Sequence, residues 1–305
     1  MQSARRDELS FELHFGVDLA ESDVLDTLQT SLTAGRGFSH SLRALSVERD
    51  RAPVSVGLDV PGSVREAVVM KGTQSGPTYR ALVAADPPTH HRRFGHALLR
   101  GSPPSTFLVI DFDEYVPCRP SGDQWLFSNT VGGWIGAGTI ARISRTDWVL
   151  SLVERLGEHP QLLWGAAFVG SEFSERNLHN DADGMWALGR DVRRCLPGVF
   201  WLNVFGSAYV HTIGEQQIRT VPTGTVHALG DNLMVQVYSG PEEWSTEDGR
   251  ARHEQVVGHL GQRFFFDRIN PDRPTTAPDF GLEPLKQRKP FQVRTTDGKR
   301  ITPFE

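Results

Sequence analysis

An α+β fold, with mixed or antiparallel sheets and helices packed against them, is what this chain predicts. Three observations lead there. Strand-like runs occur along the whole length, from Phe11-Glu12-Leu13-His14-Phe15 to Leu233–Tyr238. Segments with apolar residues at helical spacing and capping residues at their ends fall between those runs. Gly230-Asp231-Asn232 joins Thr225–Leu229 to Leu233–Tyr238, and this is the turn chemistry of an antiparallel hairpin.

The first third reads in order as follows. The run Phe11 to Phe15 alternates apolar and polar and predicts a half-buried strand. Ser22 and Asp23 open a helix to about Thr33, with Val24, Leu25, Leu28 and Leu32 on one face and Gly35 and Gly37 after it. Ser41 to Glu48 and Pro53 to Val60 read as strands, Val64 to Met70 as a helix, and Tyr79 to Ala84 as a strand. The order β-α-β-β-α-β is that of the split βαβ, ferredoxin-like arrangement. With a similar mixture further on, the chain divides into an N-terminal half, 1–104, a C-terminal half, 105–280, and an extended tail, 281–305.

The second half begins after a turn-rich basic connector, Asp86 to Pro104, which holds His90, His91 and His96. No acidic or cysteine ligand stands near those histidines at metal-binding spacing, so a solvated loop is expected. Phe107 to Phe112 predicts a strand. Trp125 to Ile140 carries Gly132, Gly133, Gly136 and Gly138 and predicts a glycine-rich loop or a close backbone approach. It lacks the Lys-Ser/Thr ending of a phosphate-binding loop. Ser144 caps a helix with Trp148, Val149, Leu152, Val153 and Leu156 on one face, stopped by Gly157. Gln161 to Val169 is an apolar run for a strand buried on both faces. Asp183 to Cys195 reads as a helix, Val199 to Phe205 as a strand, Ser207 to Ile213 as a short helix, and Thr246 to Leu260 as the last helix.

Composition narrows the function classes. The chain has 305 residues and a net charge of −5. That balance argues against nucleic acid as a partner, because a basic footprint is missing. Met1 to Ser10 is polar and charged, without the apolar core of a secretory signal, and no run reaches the ~18 apolar residues of a membrane span. The expectation is a cytoplasmic protein that does not enter a membrane. Its two cysteines, Cys118 and Cys195, suit unpaired thiols in a reducing compartment.

The sharpest sign of chemistry is His179-Asn180-Asp181 with His227 downstream. His-x-Asp followed by a distant His is the spacing with which two imidazoles and a carboxylate hold one face of Fe(II) in non-haem oxygenases. Two features depart from that pattern. Asn177 to Gly184 reads as a loop, and no Arg or Lys lies between His227 and Pro241 to receive a 2-oxo acid. Other candidates are incomplete. Pro222 to His227 with Asn232 is similar to a second cupin motif, but no His-x-His partner precedes it. His253-Glu254 and His259 miss the i, i+4 spacing that a helical zinc site needs. Asp111 and Asp113 would share a strand face about 6–7 Å apart, with Glu114 beside them. They read as a charged strand end.

From Leu196 to Phe280 the features follow a recognisable order. Pro197-Gly198 and Trp201-Leu202-Asn203 are followed by Gly206, Tyr209-Val210, Ile213-Gly214 and Pro222. Then come Leu229-Gly230-Asp231-Asn232, Gln236-Val237-Tyr238, Pro241, His259-Leu260-Gly261, Phe265-Phe266-Asp267 and Ala277-Pro278-Asp279-Phe280. This series resembles the bacterial type VI immunity family, formerly a domain of unknown function. The resemblance implies a cytoplasmic protein that binds and neutralises a cognate protein toxin. It implies no cofactor, no metal and no catalytic residues. The alternative is a metal-dependent enzyme built on His179, Asp181 and His227.

Overall fold

Alternation in the first apolar run becomes the middle of a sheet. The computed structural model describes side chains at residues 8–17, 23, 24, 26–28, 130–135, 145–177, 192–271 and 273–280, and backbone alone along several further strands. In chain order the strands are β1 (Leu9–Phe15), β2 (Leu42–Ala44), β3 (Val47–Arg49), β4 (Arg51–Val54), β5 (Leu58–Val60), β6 (Gly95–Arg100), β7 (Thr106–Pro117), β8 (Trp125–Ile135), β9 (Leu162–Val169), β10 (Leu178–Asp181), β11 (Gly184–Ala187), β12 (Leu202–Phe205), β13 (Thr225–Leu229), β14 (Asn232–Gln236), β15 (Val293–Arg294) and β16 (Arg300–Ile301). Residues 24 and 26–28 are helical, within the helix expected from Ser22; the later helices are α1 (Arg145–Gly157), α2 (Gly170–Asn177), α3 (Ser207–Ile213), α4 (Glu215–Arg219) and α5 (Glu247–Leu260).

Eight of the strands form one sheet in the order β13-β14-β12-β9-β1-β8-β7-β6, and every pairing in it is antiparallel. The fold is α+β, as the sequence predicts. The split βαβ order is not what is built, since the sheet contains no parallel pair. β1 and β6, from residues 1–104, lie in the same sheet as β7, β8 and β9.

Cross-strand register sorts the side chains of β1 onto two faces. Leu9, Phe11, Leu13 and Phe15 point one way and are all buried. Helix α1 covers that face, with Phe11 edge-on to Trp148 at 6.2 Å. The predicted stripe Val149, Leu152, Val153 and Leu156 is buried. Each such side chain contributes about 2 kcal/mol over an exposed one. On the other face, Glu12 and His14 stand beside Ala166 and Trp164 of β9 and Gly132 and Thr130 of β8. Phe168 stacks on Phe173 of α2 at 4.8 Å, and Phe200 packs on Phe168 at 5.0 Å and on Trp164 at 6.3 Å. An aromatic layer therefore closes this second face.

One residue pins the junction of three elements. Gly206 precedes α3, and a Cβ there would lie 1.9 Å from the Leu162 carbonyl oxygen. A capping side chain is excluded at that position, so the helix's first N–H groups need another acceptor. Asn232, the first residue of β14 just past the turn from β13, supplies it: its Oδ1 accepts from the Ser207 N–H at 2.8 Å. Its Nδ2 donates to the carbonyls of Gly157 at 2.7 Å and His159 at 3.0 Å, at the end of α1.

Several expectations are corrected. The glycine-rich stretch is strand, not loop, through Ile135: Gly132 pairs with Glu12 and Val109, and a Cβ on it would sit 3.1 Å from the Phe11 carbonyl oxygen. The small residue allows close strand approach in the interior. The helix expected over Asp183 to Cys195 does not form. β10 and β11 pair antiparallel there, with Asp181 opposite Gly184, and residues 192–194 are a turn. Asn177 to Gly184 is accordingly no loop, because α2 runs into β10. The connector Asp86 to Pro104 contains an edge strand, β6. Ser41 to Val60 breaks into four short strands, of which β2 pairs β5 and β3 pairs β4. The strand expected over Val199 to Phe205 is shortened to β12. The helix Val64 to Met70 and the strand Tyr79 to Ala84 lie outside the described residues. In the tail, β15 and β16 pair with each other.

Replacing Asn232 with Ala removes three hydrogen bonds and leaves buried helix-end groups bare. It is expected to lower stability by about 3 kcal/mol, read as a shift in the urea midpoint at unchanged slope.

Candidate functional site

The structure places the residues of the sequence-predicted metal triad in two sheets. His179 and Asp181 occupy β10, two apart, and so share one face of that strand; their side chains lie outside the described residues. His227 is half-buried on β13, the end strand of the large sheet, where it faces Met234 of β14. Among the described residues no three His, Cys, Asp or Glu side chains come together as a metal site. Asp111 and Asp113 do not keep the simple alternation expected, because a β-bulge lies between Asp111 and Glu114. His259 ties helices together, with its Nε2 2.8 Å from the Gln217 carbonyl oxygen. Cys195 is buried.

A different cluster stands out by its electrostatics. Glu172 and Arg176 sit one turn apart on α2, on the aromatic-covered side of the sheet. Arg176 Nη2 donates to Glu172 Oε1 at 2.9 Å and to the Tyr238 hydroxyl at 3.2 Å. Its guanidinium lies over the Phe200 ring, 5.7 Å from the centroid. Glu172 and the neighbouring Asn177 are fully buried. Glu172 Oε2, Arg176 Nε and Nη1, both amide atoms of Asn177, and Trp201 Nε1 have no hydrogen-bond partner. Such a concentration of unmatched polar atoms is unusual for a folded interior.

Desolvation dominates the protonation of this cluster. Burial pushes the Glu172 carboxyl up to about 8, although Arg176 and the Val169 backbone pull it down. Burial likewise raises the Tyr238 phenol to about 12, so it stays neutral and remains a donor. At neutral pH Glu172 is therefore mainly a carboxylic acid, and Arg176 retains a net positive charge in the interior. Glu172 Oε1 accepts from Arg176 in either protonation state, which places the proton on Oε2. The cluster is able to hold a proton and a charge. It has no nucleophile poised beside a base.

A second polar pair lies mid-sheet. His14 Nε2 and Glu12 Oε1 are 2.5 Å apart, and Thr130 Oγ1 is 3.3 Å from His14 Nδ1. The Trp164 ring is 5.7 Å from the His14 ring. Sequence reading missed both clusters. A Glu-x-x-x-Arg signal at helical spacing was present at Glu172 and Arg176, but nothing local marks its burial.

No family model matches the chain, and no curated protein matches it. Among solved structures, a T6SS protein of Pseudomonas aeruginosa aligns with 12% identity and a TM-score of 0.45, over 83% of this chain and 72% of that one. At that degree of overlap the likeness carries no inference about function. Among the described residues no helix is long and apolar enough to cross a membrane.

The raised Glu172 carboxyl has a defined consequence for stability. Between about 4.5, its ordinary value, and about 8, the folded chain holds a proton that the unfolded chain has released. Stability therefore falls as pH rises across that window and levels off above it. Glu172→Gln is expected to flatten this slope and to exceed the wild type at about pH 8.5 by a few kcal/mol, with little gain near pH 4. Urea melts of both proteins across the range check it.

Proposed function

We propose that this chain is a cytoplasmic immunity protein, a protein-binding scaffold that neutralises a cognate bacterial toxin of a type VI secretion system. It catalyses nothing in this role and has no need of a cofactor, a membrane or nucleic acid. The observation that carries the proposal is what the motif residues of 196–280 do. Leu196 exchanges backbone hydrogen bonds with Phe264 and Phe266. Asn203 holds the Phe200 backbone through both its amide atoms, and Asn232 joins three elements. Tyr209 donates to the Val192 carbonyl at 2.5 Å and packs edge-on to Phe280. Trp201, Tyr238, Phe264 and Phe265 are buried. The side chains that give the segment its resemblance are thus committed to rigidity, the property a binding scaffold requires.

The expected result is specific. Expression of the neighbouring gene alone arrests growth, and co-expression of this chain restores it with recovery of a stable complex. Growth arrest that this chain fails to relieve would reject the proposal.

A second reading keeps one supporting observation. Because β10 is a strand, His179 and Asp181 share a face, as two ligands of one metal must. A metal-dependent enzyme using His179, Asp181 and His227 predicts stoichiometric Fe(II) uptake under anaerobic conditions, lost in His179→Ala. Protein that binds no added Fe(II) removes this reading.

A further inference from the structure

Arg176 brings a permanent charge into the interior. A guanidinium has five N–H donors and no acceptor. Arg176 makes two hydrogen bonds, both from Nη2, to Glu172 Oε1 at 2.9 Å and to the Tyr238 hydroxyl at 3.2 Å. Nε and Nη1, which carry the remaining N–H groups, are buried without a partner. Phe200 offers only its ring face, with the centroid 5.7 Å from the guanidinium carbon. That is close to the outer limit of a cation–π contact. The arginine stem is backed by Gly198, where a Cβ would lie 3.4 Å from Arg176 Cδ.

The neighbours of this charge are short of acceptors too. Asn177, next on the helix, is fully buried with both amide atoms unmatched. Trp201 Nε1, from the residue after Phe200, is also buried and unmatched. The unmatched donors are therefore Arg176 Nε and Nη1, Asn177 Nδ2 and Trp201 Nε1, against the Asn177 amide oxygen and Glu172 Oε2. Glu172 does not supply the balancing charge. Burial keeps its carboxyl mainly protonated at neutral pH, and Oε2 then carries the proton and is itself a donor. A water molecule offers donors and acceptors alike and no charge, so it would meet the hydrogen bonds and leave the guanidinium uncompensated. An anion only accepts, and it meets both needs. A buried charge without a counter-charge is among the costliest states of a protein interior.

We propose that the buried face of Arg176 is a binding site for a small monovalent anion of halide size, with Nε and Nη1 as its principal donors. The anion holds the place that a carboxylate fills in an ordinary buried ion pair. Burial of every atom concerned excludes larger anions. Since Arg176 joins α2 to Tyr238, occupation of the site tightens the packing of the helix against the sheet. This holds whether or not the chain binds a toxin.

Bromide is the probe, exchanged against gluconate, an anion too large for the interior. At constant ionic strength both salts screen surface charges equally. The melting temperature of the full chain at neutral pH is expected to rise saturably with bromide, by about 3 °C or more at ~150 mM. Arg176→Leu is expected to lose that rise. Crystals of the wild type grown in bromide should show an anomalous peak in hydrogen-bond contact with Arg176 Nε or Nη1. This measurement needs no variant, so it decides the matter even where Arg176→Leu fails to fold. Equal melting in the two salts, an undiminished rise in a folded Arg176→Leu, or bromide found only elsewhere on the protein would each overturn the site.

Discussion

Strand β1 is hydrogen-bonded on both edges, to β8 on one side and β9 on the other, and the sheet has no continuity without it. Its partners lie far along the chain, as in the pairings Leu9 with Ile135 and Leu9 with Val169. Closing such loops costs entropy before any contact offsets it. The compensation comes from both faces together. The odd residues of β1 bury four large apolar side chains under α1, and the even residues place Glu12 and His14 in the interior. A register slip of one residue would exchange the two sets and bury the polar pair against α1, so the pattern specifies one register strongly.

The second face shows what the apolar covering leaves to be balanced. Phe168, Phe173, Phe200 and Trp164 exclude water from α2, and that exclusion keeps Glu172 protonated and Arg176 held by few partners. A buried charge with too few partners is costly, and removing one of those partners costs more than the bond gives when formed. Here Arg176 links α2 to Tyr238, just beyond β14, across the aromatic layer. The segment 196–280 supplies most of that support. Its asparagines and tyrosines satisfy backbone groups that the helices and strands leave open.

What was legible in the sequence was local. The α1 stripe, the wholly buried β9, the span of α3, and the hairpin of β13 and β14 follow from periodicity and turn chemistry at a few residues. The hairpin at β10 and β11 was hidden, because Met185, Leu188 and Val192 fall at helical spacing, while the pairing that makes Gly184–Ala187 a strand comes from β10. Gly132 read as loop because its requirement, the approach of the Phe11 carbonyl, comes from a strand distant in sequence. Sheet order was equally invisible, since it depends on pairings between remote segments. The cluster at Glu172 was out of reach for the same reason: its chemistry arises from burial by Phe200 and Tyr238, and one short segment does not encode it. His227 was legible as a strand residue, while its place at the sheet's end was not.

The claim on which the rest turns is that this rigid scaffold binds a protein. The most direct measurement is titration calorimetry of the purified chain with the purified product of its neighbouring gene, at two temperatures. Saturable binding to a stoichiometric complex, with a negative heat-capacity change from apolar burial at the interface, is the predicted result. A flat titration at both temperatures, with both proteins folded, would contradict it.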